Sequence, residues 1–379
     1  MTNPRPKPPH ILFLYSDTGG GHRSAAEAII EALQIEFPGQ TTTEMVDVFR
    51  QYAPRPLNYA PEIYPVLTRM PRMWSMGYRV IDGRRRVRNL YYAVWPYVRT
   101  SMQRLLREHP SDMVVSVHQL PNFPVVWAMG GERRRFVTVV TDMVSTHAAW
   151  FNPRADLVIV PTAQAKDRAL AMGLHPEQVR VVGMPVAEKF TSATGSREEL
   201  RAHFGWPQDQ PVVLLVGGGD GMGPLGKTVK TIDSAGLPAF LAVVCGRNQH
   251  LREDLEAHHW RLAHSVYGFV REMPEMMRAA DVIVTKAGPG TISEAFIAGL
   301  PIILYSRLPG QEDGNVSYVV DEGAGVWAPE PEQVAAVLKD WLDHPAKRLR
   351  VAEASSRLAR PQATRQIARL LAQQIGLTD

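Results

Sequence analysis

Residues 17–24 read "DTGGGHRS", directly after the apolar run Ile11–Tyr15. A continuous apolar run that ends in glycines predicts a strand buried on both faces, and Ser24–Leu33 predicts a helix. Such a turn brings several backbone N–H groups near one point, where the positive end of the helix dipole also favours an anion. An ordinary tight turn is the competing reading of Gly19, Gly20 and Gly21. His22 favours the anion reading, because it sets a titratable side chain beside the expected anion site.

The same strand-then-helix rhythm extends along most of the chain and predicts parallel α/β architecture. In the first half, strands are expected at 10–15, 42–47, 113–116, 136–140, 157–160 and 179–181, with helices between them. The segment 50–98 breaks the rhythm with prolines, aromatics and arginines, and is expected to be an insertion of helices and loops. After a polar stretch with a Ser196 N-cap signal, a second series follows at 212–216, 240–244, 265–267, 282–285, 301–304 and 325–327. The tail 331–375 reads as two or three amphipathic helices. Two doubly wound domains are therefore expected, with ligands outside the carboxyl ends of their strands and a cleft between them.

Length agrees, since 379 residues exceed one typical core. The lone cysteine, Cys245, excludes an internal disulfide and any cysteine-based zinc cluster. No apolar stretch approaches eighteen residues, so no membrane span is expected. Residues 1–9 read as a disordered tail. Charge is uneven: residues 51–140 hold 14 Arg, no Lys and 5 acidic residues, a local +9 in a chain whose total is +4. Basic surfaces attract nucleic acid or anionic membrane. Here the interleaved residues, among them Trp74 and Trp95, are amphipathic side chains suited to a lipid headgroup interface. No nucleic-acid-binding signature accompanies the charge.

The glycine clusters at 217–223 and 288–290 each follow an expected strand. In "IVTKAGPGTISEAF" a Gly-Pro-Gly turn precedes a helix opened by Thr291. The N–H groups of Gly290 and Thr291 suit a diphosphate, and Glu294 suits a ribose diol or simply the helix dipole. No Asp-x-Asp pair is present to hold a metal on a nucleotide sugar. A diphosphate leaving group would then be stabilised by helix ends and side chains, and no metal or other cofactor is expected.

The stretches "SDTGGGHRSAAEAI", "VTDMVSTHAAWFNPRAD", "VGGGDGMGP", "CGRNQHL", "YGFVREMPEMMRAADVIVTKAGPGTISEAFIAGLPIIL" and "GQEDGNVSYVV" together resemble the monogalactosyldiacylglycerol synthase family of glycosyltransferases. The likeness covers most of residues 10–330. It is shared more distantly with processive diacylglycerol glucosyltransferases and the peptidoglycan lipid-precursor N-acetylglucosaminyltransferase. It implies the GT-B fold, in which two Rossmann-like domains face an interdomain cleft. The expected divisions are an acceptor and membrane domain at 10–185, a UDP-sugar domain at 186–350, and C-terminal helices at 351–379 packing back toward the first domain.

The resemblance implies inverting transfer of a hexose from a UDP-hexose to the sn-3 hydroxyl of diacylglycerol. Galactose is favoured by "THAAWF" and "GGGDGMGP". A UDP-glucose-dependent transferase, or one acting on another lipid acceptor, is the alternative. His22 matches the family histidine and is the first candidate for general base; a phosphate contact is its other reading. Asp142 is the second candidate, as base or as a group orienting the acceptor or His22. On the donor side the resemblance points to Gly218, Gly219, Arg247, Phe269, Val270, Gly290, Thr291, Glu294, Gln311, Glu312 and Asn315. Toward acceptor and membrane it leaves Trp74, Arg84, Arg85, Arg86, Arg88, Trp95, His147 and Trp150, with Trp150 either lining an acyl groove or packing the core. The implied place is peripheral, on the cytoplasmic face of a membrane with anionic lipids. Oligomeric state is not legible in the sequence.

Overall fold

A computed structural model describes residues 7–17, 21–63, 70–131, 134–219, 221 and 223–377. Gly19 and Gly20 lie outside the described residues. By its contacts the chain divides into two compact units. One comprises residues 1–188 with 309–311 and 362–379; the other comprises 189–308 with 312–361.

The first unit is built on a six-stranded sheet of β1 (His10–Tyr15), β2 (Thr42–Asp47), β3 (Met113–Ser116), β4 (Arg135–Val139), β5 (Leu157–Val160) and β6 (Val179–Val181). Its order is β2-β1-β3-β4-β5-β6, every pair parallel. Both faces of β1 are covered. Leu12 and Leu14 enter one core with Trp150 and Met102, while Ile11, Phe13 and Tyr15 enter another with Ile29 and Leu33. That alternation is the two-residue period of a strand, and burial of both faces is why the run is uniformly apolar.

The second unit carries β7 (Val212–Val216), β8 (Phe240–Val244), β9 (His264–Tyr267), β10 (Val282–Lys286), β11 (Ile302–Ser306) and β12 (Gly325–Trp327). Its order β12-β11-β10-β7-β8-β9 is the doubly wound arrangement, again wholly parallel. The chain reverses direction across the sheet between β1 and β3 in the first unit and between β7 and β10 in the second. Ligand crevices of such sheets lie outside those strand ends.

Two departures from the sequence expectation matter, while the basic segment is helical as expected. The first helix spans Gly21–Glu36 and so begins before Ser24, which puts His22 in its first turn. The reason is tertiary: the His22 ring is anchored to the ends of β3 and β4. Strands β10 and β11 run one and two residues beyond their expected ends, and their register shifts between Thr285 and Lys286. The basic segment holds a helix Pro71–Ile81 and a 25-residue helix Arg84–Glu108 with Pro96 inside it. The longer helix buries Val87, Tyr91, Val98, Met102, Leu105 and Leu106, a helical stripe, and turns its arginines outward.

In the first unit, the helix Ala363–Gln374 lies on the helix Gly21–Glu36, with Ile367, Ala368, Leu371 and Ala372 in the core that holds Ile29 and Leu33. Thr364 exchanges hydrogen bonds with the main chain of Val186 at 2.9 and 2.7 Å. Arg365 pairs with Glu36 and Glu188, and Arg369 with Glu36.

Candidate active site

In the first unit the chemistry gathers at the carboxyl ends of β1, β3 and β4. His22 Nδ1 lies 2.9 Å from the Val117 carbonyl oxygen and 2.9 Å from Thr141 Oγ1. A carbonyl only accepts, so Nδ1 carries the proton and Nε2 keeps its lone pair. Desolvation lowers the His22 pKa to about 4 against a partly compensating bond to Val117, so the imidazole is neutral at pH 7. That is the state a general base requires.

Sequence reasoning missed His118. It lies two residues past the end of β3, is buried, and stands edge-on to His22 with ring centroids 4.4 Å apart. Its Nδ1 accepts from the Leu120 N–H at 3.2 Å. Burial, then the neighbouring His22, lowers its pKa as well. The available signal was its position, a histidine two residues past a buried strand beside the reversal point.

Asp142 is 4% exposed, and its Oδ2 accepts from Trp150 Nε1 at 2.7 Å. Its Oδ1 accepts from Gln311 Nε2 at 3.2 Å, so Gln311 sits on Asp142 in this structure. Trp150 is fully buried, and of its two readings core packing is the one observed. His147 is buried too, under the ring of Tyr78, and its Nδ1 accepts from the Ala149 N–H. Desolvation lowers its pKa. A second residue without a sequence signal organises this loop: Asp82 accepts from Ala148 N–H and from Arg168 at 2.7–2.9 Å.

Trp74 and Trp95 are half-buried, and Arg84, Arg85, Arg86 and Arg88 are exposed. Arg84 lies across the backbone at Gly173, where a Cβ would meet its guanidinium at 2.5 Å. Trp95 and Tyr92 pack on Trp127. Met70, Met73, Met76, Val80, Tyr92 and Tyr97 are exposed around them. A cavity of about 580 Å³ is lined by Arg72, Ser75, Met76, Arg79, Val80, Arg86 and Pro309. This is a mixed arginine and apolar face of the kind suited to a lipid interface.

In the second unit the expected donor residues converge on the ends of β7, β8 and β10. The glycines after β7 serve close packing. A Cβ on Gly221 would stand 2.2 Å from the Cys245 carbonyl, and one on Gly246 2.5 Å from that of Gly219. These contacts draw the "GGG" turn and the "CGRN" turn together, so that Arg247 Nη2 would lie 3.6 Å from a Cβ on Gly219. Arg247 also stacks over the exposed ring of Phe269, 5.7 Å from its centroid, beside Val270. The helix Pro289–Ala298 has no side-chain cap at Gly288, which leaves Gly290 and Thr291 at an open helix N-terminus. Burial raises the Glu294 pKa to about 7 against an opposing pull from Lys189. Glu312 and Asn315 are 5% and 1% exposed, more deeply set than a surface loop. Asn315 Nδ2 donates to the Ala287 carbonyl at 2.9 Å. Among the described residues no group of three or more His, Cys, Asp or Glu is placed to hold a metal ion.

The chain matches the family model described as monogalactosyldiacylglycerol (MGDG) synthase over residues 22–186. Residues 212–370 match the glycosyltransferase family 28 C-terminal domain. Monogalactosyldiacylglycerol synthase 3 of Arabidopsis thaliana is 37% identical over 365 residues, 93% of this chain and 78% of the relative. The probable monogalactosyldiacylglycerol synthase 2 of Oryza sativa subsp. japonica is 37% identical with the same coverage. Among solved structures, Acinetobacter baumannii MurG aligns with a TM-score of 0.63 at 17% identity, over 97% of this chain and 100% of that one. Anabaena Alr3699/HepE, in complex with UDP and glucose, aligns at 0.57 and 15% identity, over 96% and 100%. These distant structures bear on the fold alone, which is GT-B. Sequence identity maintained through both halves shows more: the chain belongs to the monogalactosyldiacylglycerol synthase family.

Proposed function

We propose that this protein transfers galactose from UDP-galactose to the sn-3 hydroxyl of 1,2-diacylglycerol, with inversion, to give a β-monogalactosyldiacylglycerol. The observation that carries the reading is identity near 37% with enzymes of that name over more than nine-tenths of the chain. The geometry of each unit is compatible with it. His22 Nε2, with Nδ1 committed to Val117, takes the proton of the acceptor hydroxyl as that oxygen attacks the anomeric carbon. Asp142, held by Trp150, orients groups around it rather than taking the proton. Gly290 and Thr291 offer N–H groups to the diphosphate, Glu294 takes the ribose diol, and Arg247 with Phe269 flanks the base. Gln311, Glu312 and Asn315 read the sugar hydroxyls. No metal is required, because helix ends and side chains supply the charge stabilisation that an Asp-x-Asp site would otherwise recruit.

The acceptor is a lipid, and we propose that the protein meets it as a peripheral protein on the cytoplasmic face of a membrane. No helix among the described residues is long and apolar enough to cross one. The docking face is the outer side of residues 70–97, where exposed Met, Val and Tyr side chains alternate with arginines. Each arginine near an anionic leaflet contributes about 1 kcal/mol, so attachment is salt-sensitive. Neutralising Arg84, Arg85, Arg86 and Arg88 together is expected to release the protein from anionic vesicles; unchanged binding would remove this face from the model.

The reaction is tested by offering radiolabelled UDP-galactose and UDP-glucose separately, with diacylglycerol in anionic vesicles and a chelator present. A lipid-soluble monogalactosyl product is expected. Product from UDP-glucose alone would reassign the sugar, and none from either donor would reassign the acceptor.

A further inference from the structure

One positive charge beside the open helix N-terminus belongs to a residue that the sequence motifs did not single out. Lys286 is the last residue of β10, next to the β7/β10 reversal point. The register shift between Thr285 and Lys286 is a local irregularity of the kind that re-aims a side chain near functional sites. The lysine stem then crosses two glycines. A Cβ on Gly218 would meet its Cε at 3.1 Å, and one on Gly288 would meet its Nζ at 3.3 Å. Lys286 therefore connects the glycine turn after β7 to the turn that opens the helix Pro289–Ala298.

Its far end is fixed. Nζ donates to Glu312 Oε1 at 2.9 Å, and Glu312 Oε2 accepts from the Leu308 N–H at 2.7 Å. Both side chains are largely buried, Lys286 at 23% and Glu312 at 7% exposure. An ammonium has three N–H donors, and the described residues use one of them. Asn315 adds an independent sign of a ligand. It is 1% exposed, gives Nδ2 to Ala287, and has Oδ1 without a hydrogen-bond partner among the described residues. A buried acceptor left unsatisfied is costly unless a donor, such as a hydroxyl of the bound sugar, reaches it.

We propose that Lys286 is the cation that takes the diphosphate of the sugar donor, with Glu312 as the positioning residue that holds it. The inference rests on the UDP-sugar reading above and adds to it a residue and a role. During transfer the bond from the anomeric carbon to the diphosphate oxygen breaks, and its electron pair stays on that oxygen. The acceptor oxygen forms the new bond, and its proton passes to His22. Lys286 donates N–H groups to the leaving group and stabilises the negative charge growing on it. This is the electrostatic work that a divalent ion does at sites built on paired aspartates.

The test is calorimetric titration of uridine, UMP and UDP into the full chain and into Lys286→Met and Lys286→Arg, with turnover measured alongside. Uridine carries no phosphate, so its affinity should stay within about twofold of wild type in both variants, which also reports an intact fold. UDP should weaken by about tenfold or more in Lys286→Met and recover most of that in Lys286→Arg. In Lys286→Met, kcat should fall by about 10²–10³-fold, as expected when one transition-state donor is removed. Should Lys286→Met lose uridine binding, Lys286→Gln replaces it, with the same result expected. Wild-type UDP affinity in a folded Met or Gln variant overturns the proposal and leaves the donor reading standing. Failure of the wild-type chain to bind UDP overturns both.

Discussion

At the scale of single residues, two titratable groups are set away from their ordinary values by burial, in opposite senses. His22 is neutral because desolvation lowers its pKa to about 4. Its acid limb in a kcat/KM profile should therefore lie below pH 6, with activity flat from about pH 6 to 7 and falling toward 4. A limb centred near 6.5 would show a different histidine in control. Replacing His22 with Ala should lower kcat by about 10²–10⁴-fold while UDP affinity is kept, the usual share of a general base. Glu294 moves the other way, to about 7. If its carboxylate accepts from the ribose diol, UDP should bind more tightly as pH rises through 7, and Glu294→Gln should abolish that dependence. Calorimetry at pH 6 and 8 decides it.

At the scale of elements, the glycine turns owe their composition to proximity as much as to ligand binding. Gly221 has φ +57° and no room for a Cβ, which would stand 2.2 Å from a main-chain carbonyl that cannot swing away. Gly221→Ala should destabilise the second unit by about 2 kcal/mol or more, read as a lowered thermal midpoint, because both strain and clash act together. By contrast Gly21 is exposed and a Cβ there meets nothing within 4 Å, so the same substitution should be nearly silent for stability. The Trp150–Asp142 bond belongs to this scale also, because it pins the end of the β4 segment to the turn of 148–150. Trp150→Phe removes one hydrogen bond to a buried carboxylate and should cost about 1.5–3 kcal/mol.

At the scale of the molecule, each unit has its own core and its own response to pH. In the first unit His22, His118 and His147 are all held below the ordinary histidine value by desolvation. The unfolded chain, with values near 6.5, takes up protons that the folded one refuses. Stability from these groups is complete above about pH 6.5 and is lost as pH falls toward 4. Thermal scans from pH 7.5 to 4.5 should show a falling midpoint with proton uptake on unfolding. The first unit also depends on the far end of the chain. Leu371 is fully buried in its core, and Leu371→Ala should cost about 2–5 kcal/mol. Deleting residues 362–379 should strip cover from Ile29 and Leu33 and leave the unit unable to fold stably.

Much of this was legible in order along the chain. Eight of the twelve strands lie at their expected bounds, because a parallel strand buried on both faces must be a short apolar run punctuated by turn residues. The places of His22, Gly290, Thr291 and Glu294 just past strand ends were legible because they sit at fixed offsets from such strands. What local pattern does not encode is where a side chain goes once the chain has closed. The start of the first helix at Gly21, the pairing of His118 with His22, the ion pair of Lys286 with Glu312, and the burial of Trp150 all depend on partners distant in sequence. The chain by itself determined the order of strands and the chemical types at their ends. The tertiary structure decided protonation, burial and partnership, because desolvation and hydrogen bonding are properties of neighbours in space.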